Sequence, residues 1–331
     1  MKHFLKKIFV FTFLLLIPFF LLEFSIETSR DSFFKESSLE KNYKNDANGY
    51  AWINKLNNKP INIVSGSSTV RYGLSCKQLN ELNQDSSVYI NFAMDARDPI
   101  QTYFILKNVN LYNVKTVYFG LDPWIYGKKY YKHLHQSILY LDFTFFECLL
   151  YFKEHDKSAF SKRYKAYFDY ISNSKKGNSL KNEIIPKDFG SIALEHTALN
   201  FSTLNDIFQT NKYGWSSLQF EYLKKIETLC DENKIKLNLF VVPKRSDYSK
   251  FHKNNFVKYH EEYLNKMAEI SMKSPIFGKL DLLDSKGDSI LFTEAFHLNK
   301  AGQVKFTKLF YELTLKPNQT YLTDYDWFVE D

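Results

Sequence analysis

The stretch Ile61-Asn-Ile-Val-Ser-Gly-Ser-Ser-Thr-Val-Arg71 decides the fold of this chain. Its opening residues form a short apolar run, as in a buried β-strand, and Gly66 then permits a tight turn. Ser68 follows near the N-terminus of a predicted helix, where a serine also serves as a capping residue. A strand that turns directly into a helix begins a βα unit, so we expect a parallel sheet to start here.

The alternation of strands and helices continues toward the C-terminus. Further predicted strands lie at Ser87–Phe92, Lys115–Phe119, Leu237–Val242 and Leu280–Leu283. Predicted helices lie at Pro99–Tyr112, Ser217–Asn233, Asn255–Met272 and Lys300–Leu313. Because right-handed crossovers place helices on both faces of such a sheet, we predict an α/β protein with a three-layer α/β/α sandwich and a mostly parallel, flavodoxin-like sheet.

Residues 125–213 interrupt this alternation. They are rich in Tyr, Phe, Lys and His and are predicted to form a largely helical insertion. The predicted organisation is a signal anchor at 1–24, a stalk at 25–60, an α/β domain at 61–315 that contains the insertion, and a tail at 316–331.

The N-terminus has the pattern of an export signal. A basic flank ending at Lys7 precedes Ile8–Leu22, fifteen residues without a charge, and no small-x-small cleavage site follows. A membrane crossing takes about 20 residues, which the run reaches with its apolar neighbours. We predict an uncleaved anchor, while a cleaved signal or a buried helix remains open. Lysines on the cytoplasmic side would place everything after Leu22 outside the membrane.

Composition excludes several classes of function. The chain has 331 residues, of which 44% are hydrophobic, and its net charge of +7 is spread along the sequence without a dense basic arm. Nucleic acid is therefore not expected as a partner. The histidines show no metal-ligand spacing, and we expect neither metal nor cofactor. Cys76, Cys148 and Cys230 lie too far apart for a disulfide framework, although a single bridge is left open.

Residues that follow the strands are the candidates for chemistry, because ligands of open α/β sheets bind at the carboxyl ends of the strands. Ser68 follows the first strand, where it is either a nucleophile or only a helix cap. His297 precedes the last helix, with Glu294 three residues before it. A carboxylate at this spacing suits a general base, because it fixes the imidazole tautomer and stabilises the imidazolium. Alone, a histidine is more often structural.

Together these segments resemble the SGNH (GDSL-type) hydrolase superfamily. Gly-Ser-Ser68 is similar to its Gly-Asp-Ser block, and Glu294-x-x-His297-Leu-Asn-x-x-Gly302 is similar to its last block. Asn91–Pro99 and Gly120–Trp124 fall where the second and third blocks belong. The Gly-Ser-Ser form, the anchor and Gly-x-x-Pro-Trp resemble the cell-envelope branch, which includes the D-alanyl transfer protein of teichoic acids and alginate O-acetyltransferase-like proteins.

The resemblance implies a function and a role for each matched residue. Ser68 would be the nucleophile, His297 the general base and then acid, and Glu294 the orienting carboxylate. The Ser68 N–H and the Ala96 region would contribute to an oxyanion hole. Asp122 falls where many members place an oxyanion-hole Asn, and a charged carboxylate there would repel an oxyanion, so the hole is either remodelled or built from backbone donors.

Two further residues, Arg71 and Asn91, are assigned to oxyanion or substrate binding on the same grounds. The resemblance implies an acyltransferase or esterase of the bacterial cell membrane, with its catalytic domain periplasmic or at the cell surface. Its partners would be a cell-surface glycan, an acyl donor and a membrane-bound O-acyltransferase. The alternatives are an inactive glycan-binding or assembly protein on the same fold and a hydrolase of small acyl esters.

Overall fold

A computed structural model describes most of the chain. The described residues are 2–33, 53, 56, 59–128, 139–173, 188–195, 214–243, separate residues between 262 and 277, 291–293 and 297–315. The chain divides into two compact units. A helical unit comprises Met1–Lys44 and Tyr131–Leu180, and a sheet unit comprises Asn45–Tyr130 and Lys181–Asp331.

The helices of the described ranges, in chain order, are α1 (Lys2–Phe33), α2 (Ser68–Gly73), α3 (Cys76–Leu82), α4 (Pro99–Asn108), α5 (Leu139–Asp142), α6 (Phe145–Glu154), α7 (Ala159–Asn173), α8 (Ser217–Glu232) and α9 (Lys300–Leu315). The strands are β1 (Ile61–Ser65), β2 (Val88–Asn91), β3 (Val114–Gly120), β4 (Lys236–Phe240) and β5 (Ile276–Phe277). Two short 3₁₀ turns, Leu111–Asn113 and Pro123–Tyr126, flank β3.

The sheet is parallel throughout, with the strand order β2-β1-β3-β4-β5. Apolar residues meet across it, as where Ile63 of β1 lies between Ile90 of β2 and Val117 of β3. Helices cover both faces, which buries β1 completely. This strand order is that of doubly wound flavodoxin-like sheets, so the predicted three-layer fold class is confirmed.

Side chains at the helix starts hold the helices of the sheet unit in place. Ser67, Ser75, Asp98 and Ser216 each accept a hydrogen bond from a backbone N–H in the first turn of α2, α3, α4 and α8. Such caps satisfy N–H groups that the helix itself leaves unpaired. The cap Ser67 lies directly after β1, and the cap Asp98 lies in the loop that follows β2.

Element boundaries differ from the sequence expectations at several points. The helix predicted at Pro99–Tyr112 ends at Asn108, where Val109 takes an extended conformation. Helix α3 lies outside the predicted elements, because seven residues are too few to show a helical period clearly. The predicted strand at 280–283 and most of the predicted helix at 255–272 lie outside the described residues.

The helical unit consists of α1, α5, α6 and α7. Helix α1 continues to Phe33, beyond the predicted end of the anchor at 24, and it is long and apolar enough to cross a membrane. Helices α5–α7 fall inside the predicted insertion at 125–213. Thr144 and Glu147 form a reciprocal capping box at the start of α6, which satisfies two backbone N–H groups at once.

The three cysteines are free and buried. Burial raises the pKa of each thiol to about 12, since the thiolate would lose its hydration. Cys76, Cys148 and Cys230 therefore act as small apolar core residues and have no thiolate for nucleophilic chemistry.

The close approach of β3 to α2 gives a test of the fold. A Cβ at Gly120 would lie 2.1 Å from Cγ2 of Val70, so Gly120→Ala should force the helix away from the sheet. We expect a loss of about 1–3 kcal/mol in the free energy of unfolding, measured by urea denaturation of the full chain in detergent. Lys305→Ala, at an exposed position of α9, is the control and should change stability by less than about 0.5 kcal/mol. Equal stability of the two variants would contradict this packing.

Candidate active site

Ser68 is the first residue of α2, two residues after Gly66, the glycine that follows β1. Gly66 adopts φ +147°, a conformation that other residues rarely take. A side chain there would also meet Val70 Cγ2 at 2.6 Å and the Gly120 carbonyl oxygen at 3.2 Å. Glycine is thus required for the chain to turn within one residue of the strand, and this turn leaves Ser68 half-buried at the carboxyl edge of the sheet.

His297 lies against Ser68. Its Nε2 is 2.8 Å from Oγ of Ser68, a normal hydrogen-bond distance. The Tyr72 ring and the imidazole pack nearly perpendicular to each other, with the two ring centres 5.1 Å apart. The two residues are 229 positions apart in the sequence, so only the tertiary fold brings them together. A hydroxyl with an imidazole nitrogen in hydrogen-bond reach is the arrangement of an activated nucleophile and its base.

The position of His297 is fixed by the backbone on either side of it. The Thr293 N–H donates to the His297 carbonyl at 2.8 Å, and the Asn299 N–H donates to Leu291 at 2.9 Å. Asn299 in turn accepts from the Gly302 N–H and caps α9. A Cβ at Gly302 would lie 2.2 Å from the Leu291 carbonyl oxygen. Glycine at this position of the Leu-Asn-x-x-Gly pattern therefore lets the short antiparallel bridge between Phe292 and Leu298 form.

Glu294 lies outside the described residues. Its predicted role as the orienting carboxylate of His297 therefore stays a prediction.

Asp122 is buried directly after β3 and holds the hydroxyl groups on either side of Ser68. Its Oδ2 accepts hydrogen bonds from Ser67 and from Thr69, the latter at 2.5 Å. The Ser67 hydroxyl also caps α2 by accepting from the Thr69 N–H at 3.3 Å. The carboxylate thus ties the end of β3 to the first turn of α2 and limits the movement of Ser68.

Sequence reasoning missed Ser67 and Thr69 as parts of the site. The available signal was the run of three hydroxyl residues, Ser67-Ser68-Thr69, together with an acidic residue after a neighbouring strand. Two hydroxyl donors flanking Ser68 give a buried carboxylate the hydrogen bonds that it requires.

The loop after β2 approaches the turn at Gly66. The Met94 N–H donates to the Gly66 carbonyl at 3.1 Å, and the buried Arg97 guanidinium donates to the Phe92 carbonyl. Between them Ala96 adopts φ +54°, a left-handed conformation that costs a non-glycine residue free energy. This strained residue lies in the region predicted to contribute to the oxyanion hole.

The other two predicted binding residues have partners inside the protein. Asn91 is buried, where its side chain accepts from the Ala93 N–H at 2.8 Å and donates to Ser191 at 3.3 Å. Arg71, one turn after Ser68, lies 3.5 Å from the exposed Asp95 carboxylate. These contacts support the loop after β2, and a role of either residue in binding substrate stays a prediction.

Metal-ligating side chains do not cluster in the described part of the chain. Among the described residues no three His, Cys, Asp or Glu side chains lie close enough together to hold a metal ion.

Comparisons with known proteins do not identify a family for this chain. The chain matches no protein-family model, and no curated protein matches it significantly in sequence. One similar solved structure is the lipase Lip_vut3 from a goat rumen metagenome, at 7% identity and a TM-score of 0.37. The match covers 77% of this chain and 96% of the lipase. The fold and the Ser68–His297 geometry therefore define the candidate site on their own.

Asp98, which caps α4, is expected to make the free energy of unfolding depend on pH. Burial raises the pKa of its carboxyl to about 6, although it accepts from the Gln101 N–H and the Gln219 amide. The folded protein thus holds this proton more tightly than the unfolded chain, in which an aspartate titrates with its ordinary pKa of 3.8. Between those two values the contribution of Asp98 to stability falls as the pH rises, by about 3 kcal/mol in total.

Asp98→Asn should remove this dependence while keeping the cap, because the Asn side-chain oxygen accepts the same bond. We expect the difference in unfolding free energy, wild type minus variant, to fall by about 2 kcal/mol from pH 4 to pH 7 in urea titrations. Asp95→Asn, at an exposed carboxylate, serves as the control and should show a much smaller trend. A constant difference for Asp98→Asn would show that Asp98 has no raised pKa.

Proposed function

We propose that this protein is a membrane-anchored, serine-dependent acyltransferase or esterase that acts on a cell-surface polysaccharide or glycopolymer. The observation that carries the proposal is the 2.8 Å contact between Ser68 Oγ and His297 Nε2 at the carboxyl edge of the sheet. Ser67 is the cap of α2, so helix capping does not account for the contact of the Ser68 hydroxyl with His297.

The proposed reaction has two halves. In the first, His297 Nε2 takes the proton of Ser68 as Oγ attacks the acyl carbonyl, and the acyl group becomes an ester of Ser68 when the donor's alcohol leaves with that proton. In the second, His297 removes the proton of an acceptor hydroxyl, which attacks the acyl-serine. The bond between the acyl carbon and Ser68 Oγ breaks, and the imidazolium returns the proton to Oγ. A sugar hydroxyl as acceptor makes the enzyme a transferase, and water makes it an esterase.

Backbone N–H groups are the proposed stabilisers of the two tetrahedral intermediates. The candidates are the N–H of Ser68 and those of the Ala96 loop, which is tied to the turn at Gly66. Asp122 acts as a positioning residue in this scheme, because its Oδ2 is engaged by Ser67 and Thr69. Glu294 is proposed to orient His297.

The proposed location follows from α1. Helix α1 is long and apolar enough to cross a membrane, and its uncharged run follows Lys2, Lys6 and Lys7, which would stay in the cytoplasm. The sheet unit would then face the periplasm or the cell surface of a bacterium, where glycopolymers are. A membrane-bound O-acyltransferase that supplies the acyl group is the proposed protein partner.

The proposal is tested first by removing the nucleophile and the base. Ser68→Ala should abolish labelling by a fluorophosphonate probe and cleavage of a chromogenic acetyl ester, and His297→Ala should slow both by about 10³-fold or more. Ser161→Ala, at an exposed serine of α7, is the control and should react like wild type. All variants should keep the wild-type circular dichroism spectrum.

Full reactivity of Ser68→Ala would overturn the assignment of the nucleophile. A folded wild-type protein that neither labels nor transfers acetyl groups, yet binds the glycopolymer, would favour the alternative of an inactive glycan-binding protein.

The variant Asp122→Asn tests whether the Asp122 carboxylate positions Ser68 or instead repels the oxyanion of the reaction. If the carboxylate only repelled an oxyanion, a neutral amide should raise kcat. If it positions Ser68 through Ser67 and Thr69, the weaker neutral acceptor should lower kcat about 10-fold and leave KM within about twofold. The assay is hydrolysis of the chromogenic ester, with thermal unfolding as the check on folding. We expect the decrease, and an increase in kcat would contradict the positioning role.

A further inference from the structure

Helix α6 of the helical unit exposes large apolar side chains. Phe146 is 74% exposed and Leu149 is 44% exposed, while Cys148 and Tyr151 on its other face are buried. Helix α7 adds Phe168 and Ile171, which are 58% and 49% exposed. A concentration of exposed apolar residues on two neighbouring helices is typical of a surface that contacts something apolar.

A buried ion pair fastens these helices to α1. The Arg163 side chain of α7 is fully buried and donates to both carboxylate oxygens of Glu23, with the shortest contact at 3.0 Å. It also donates to the Phe143 carbonyl at 2.5 Å. Glu23 directly follows the uncharged run of α1, so its charge lies at the end of the apolar span. A charged group at that depth requires a partner, and α7 supplies it.

The ring contacts of α1 set the height of α6 along the anchor. Phe145, the first residue of α6, packs edge-on against Phe19 of α1, with ring centres 5.7 Å apart. Counted from Leu22, the last residue of the uncharged run, Phe19 lies about 4.5 Å inside the apolar layer, at about 1.5 Å per residue. The N-terminal end of α6 therefore lies inside the hydrocarbon layer, deeper than the point at which α1 leaves that layer.

An apolar groove of about 640 Å³ runs between the same elements. Its lining includes Phe13, Ile17, Phe20 and Phe24 of α1 and the first two residues of α6, Phe145 and Phe146. The side chains named from α1 are exposed and belong to the face that would contact lipid in a membrane. The groove is therefore continuous with the lipid-facing surface of α1.

From these observations we propose that α5, α6 and α7 form a platform in the outer boundary of the bilayer. Phe146 and Leu149 insert among the acyl chains, and lipid acyl chains fill the groove beside α1. Exposed lysines at 153 and 157, in the last turn of α6 and just after it, lie where lipid headgroups would carry negative charge. The inference rests on the membrane-spanning α1 of the proposed function, and it is independent of the catalytic roles.

The experiment measures the depth of single side chains in the full chain, reconstituted in phosphatidylcholine–phosphatidylglycerol vesicles. Phe146→Cys, Leu14→Cys and Asp169→Cys are each labelled with an environment-sensitive fluorophore. The native thiols are buried and should not react. Each label is then exposed to iodide in the water and, separately, to spin-labelled lipid. Phe146 is largely exposed, so its replacement should leave the fold intact.

We expect the label at 146 to be quenched by spin-labelled lipid at least threefold more strongly than the label at 169, an exposed carboxylate position, and to be protected from iodide. The label at 14, within the apolar run, reports whether α1 spans the membrane. Lipid quenching at 14 but iodide quenching at 146 overturns the platform alone. Absence of lipid quenching at 14 overturns the anchor itself. Protection of 146 from both quenchers also overturns the proposal and assigns the apolar face to a protein contact.

Discussion

The contact of Val70 with two glycines fixes the centre of the sheet unit. A Cβ at Gly66 or Gly120 would collide with Val70 Cγ2, at 2.6 Å and 2.1 Å. Because both positions are glycine, α2 lies directly on the ends of β1 and β3, and Ser68 begins that helix at the carboxyl edge of the sheet. A residue with a side chain at either position would lift the helix and change the position of Ser68 relative to His297.

Hydrogen bonds at the carboxyl edge of the sheet hold the residues around Ser68 in place. Asp122 binds the hydroxyls of Ser67 and Thr69, and the loop after β2 is held to the Gly66 carbonyl. His297 is set by a short antiparallel contact on the other side of Ser68. The first turn of α2 is thereby held through neighbouring residues, while the Ser68 hydroxyl itself contacts the imidazole. Rigid support around a reactive hydroxyl is what positioning of a nucleophile requires.

In the helical unit, α1 has two roles: it provides an apolar span, and it provides the surface on which α5–α7 pack. Ile26 of α1 is fully buried, and Glu27 accepts from the Phe145 N–H at 3.2 Å. The segment predicted as the start of a polar stalk is thus the continuation of α1. Glu23 binds Arg163, Ser25 contacts the Tyr167 hydroxyl and Glu27 accepts from the Phe145 N–H. These partners on the neighbouring helices let a stretch that is polar in sequence be helical and partly buried.

The α/β class, the places of the four main strands and the candidates Ser68 and His297 could be predicted from the sequence alone. These follow from local patterns: apolar runs, a turn glycine, and a cap before the last helix. The contact of Ser68 with His297, the binding of Ser67 and Thr69 by Asp122, and the pairing of Arg163 with Glu23 are seen only in the folded structure. Such pairings join residues from about 50 to more than 200 positions apart, and no local preference encodes which distant groups meet. They depend on how the elements pack, and packing is a property of the whole chain.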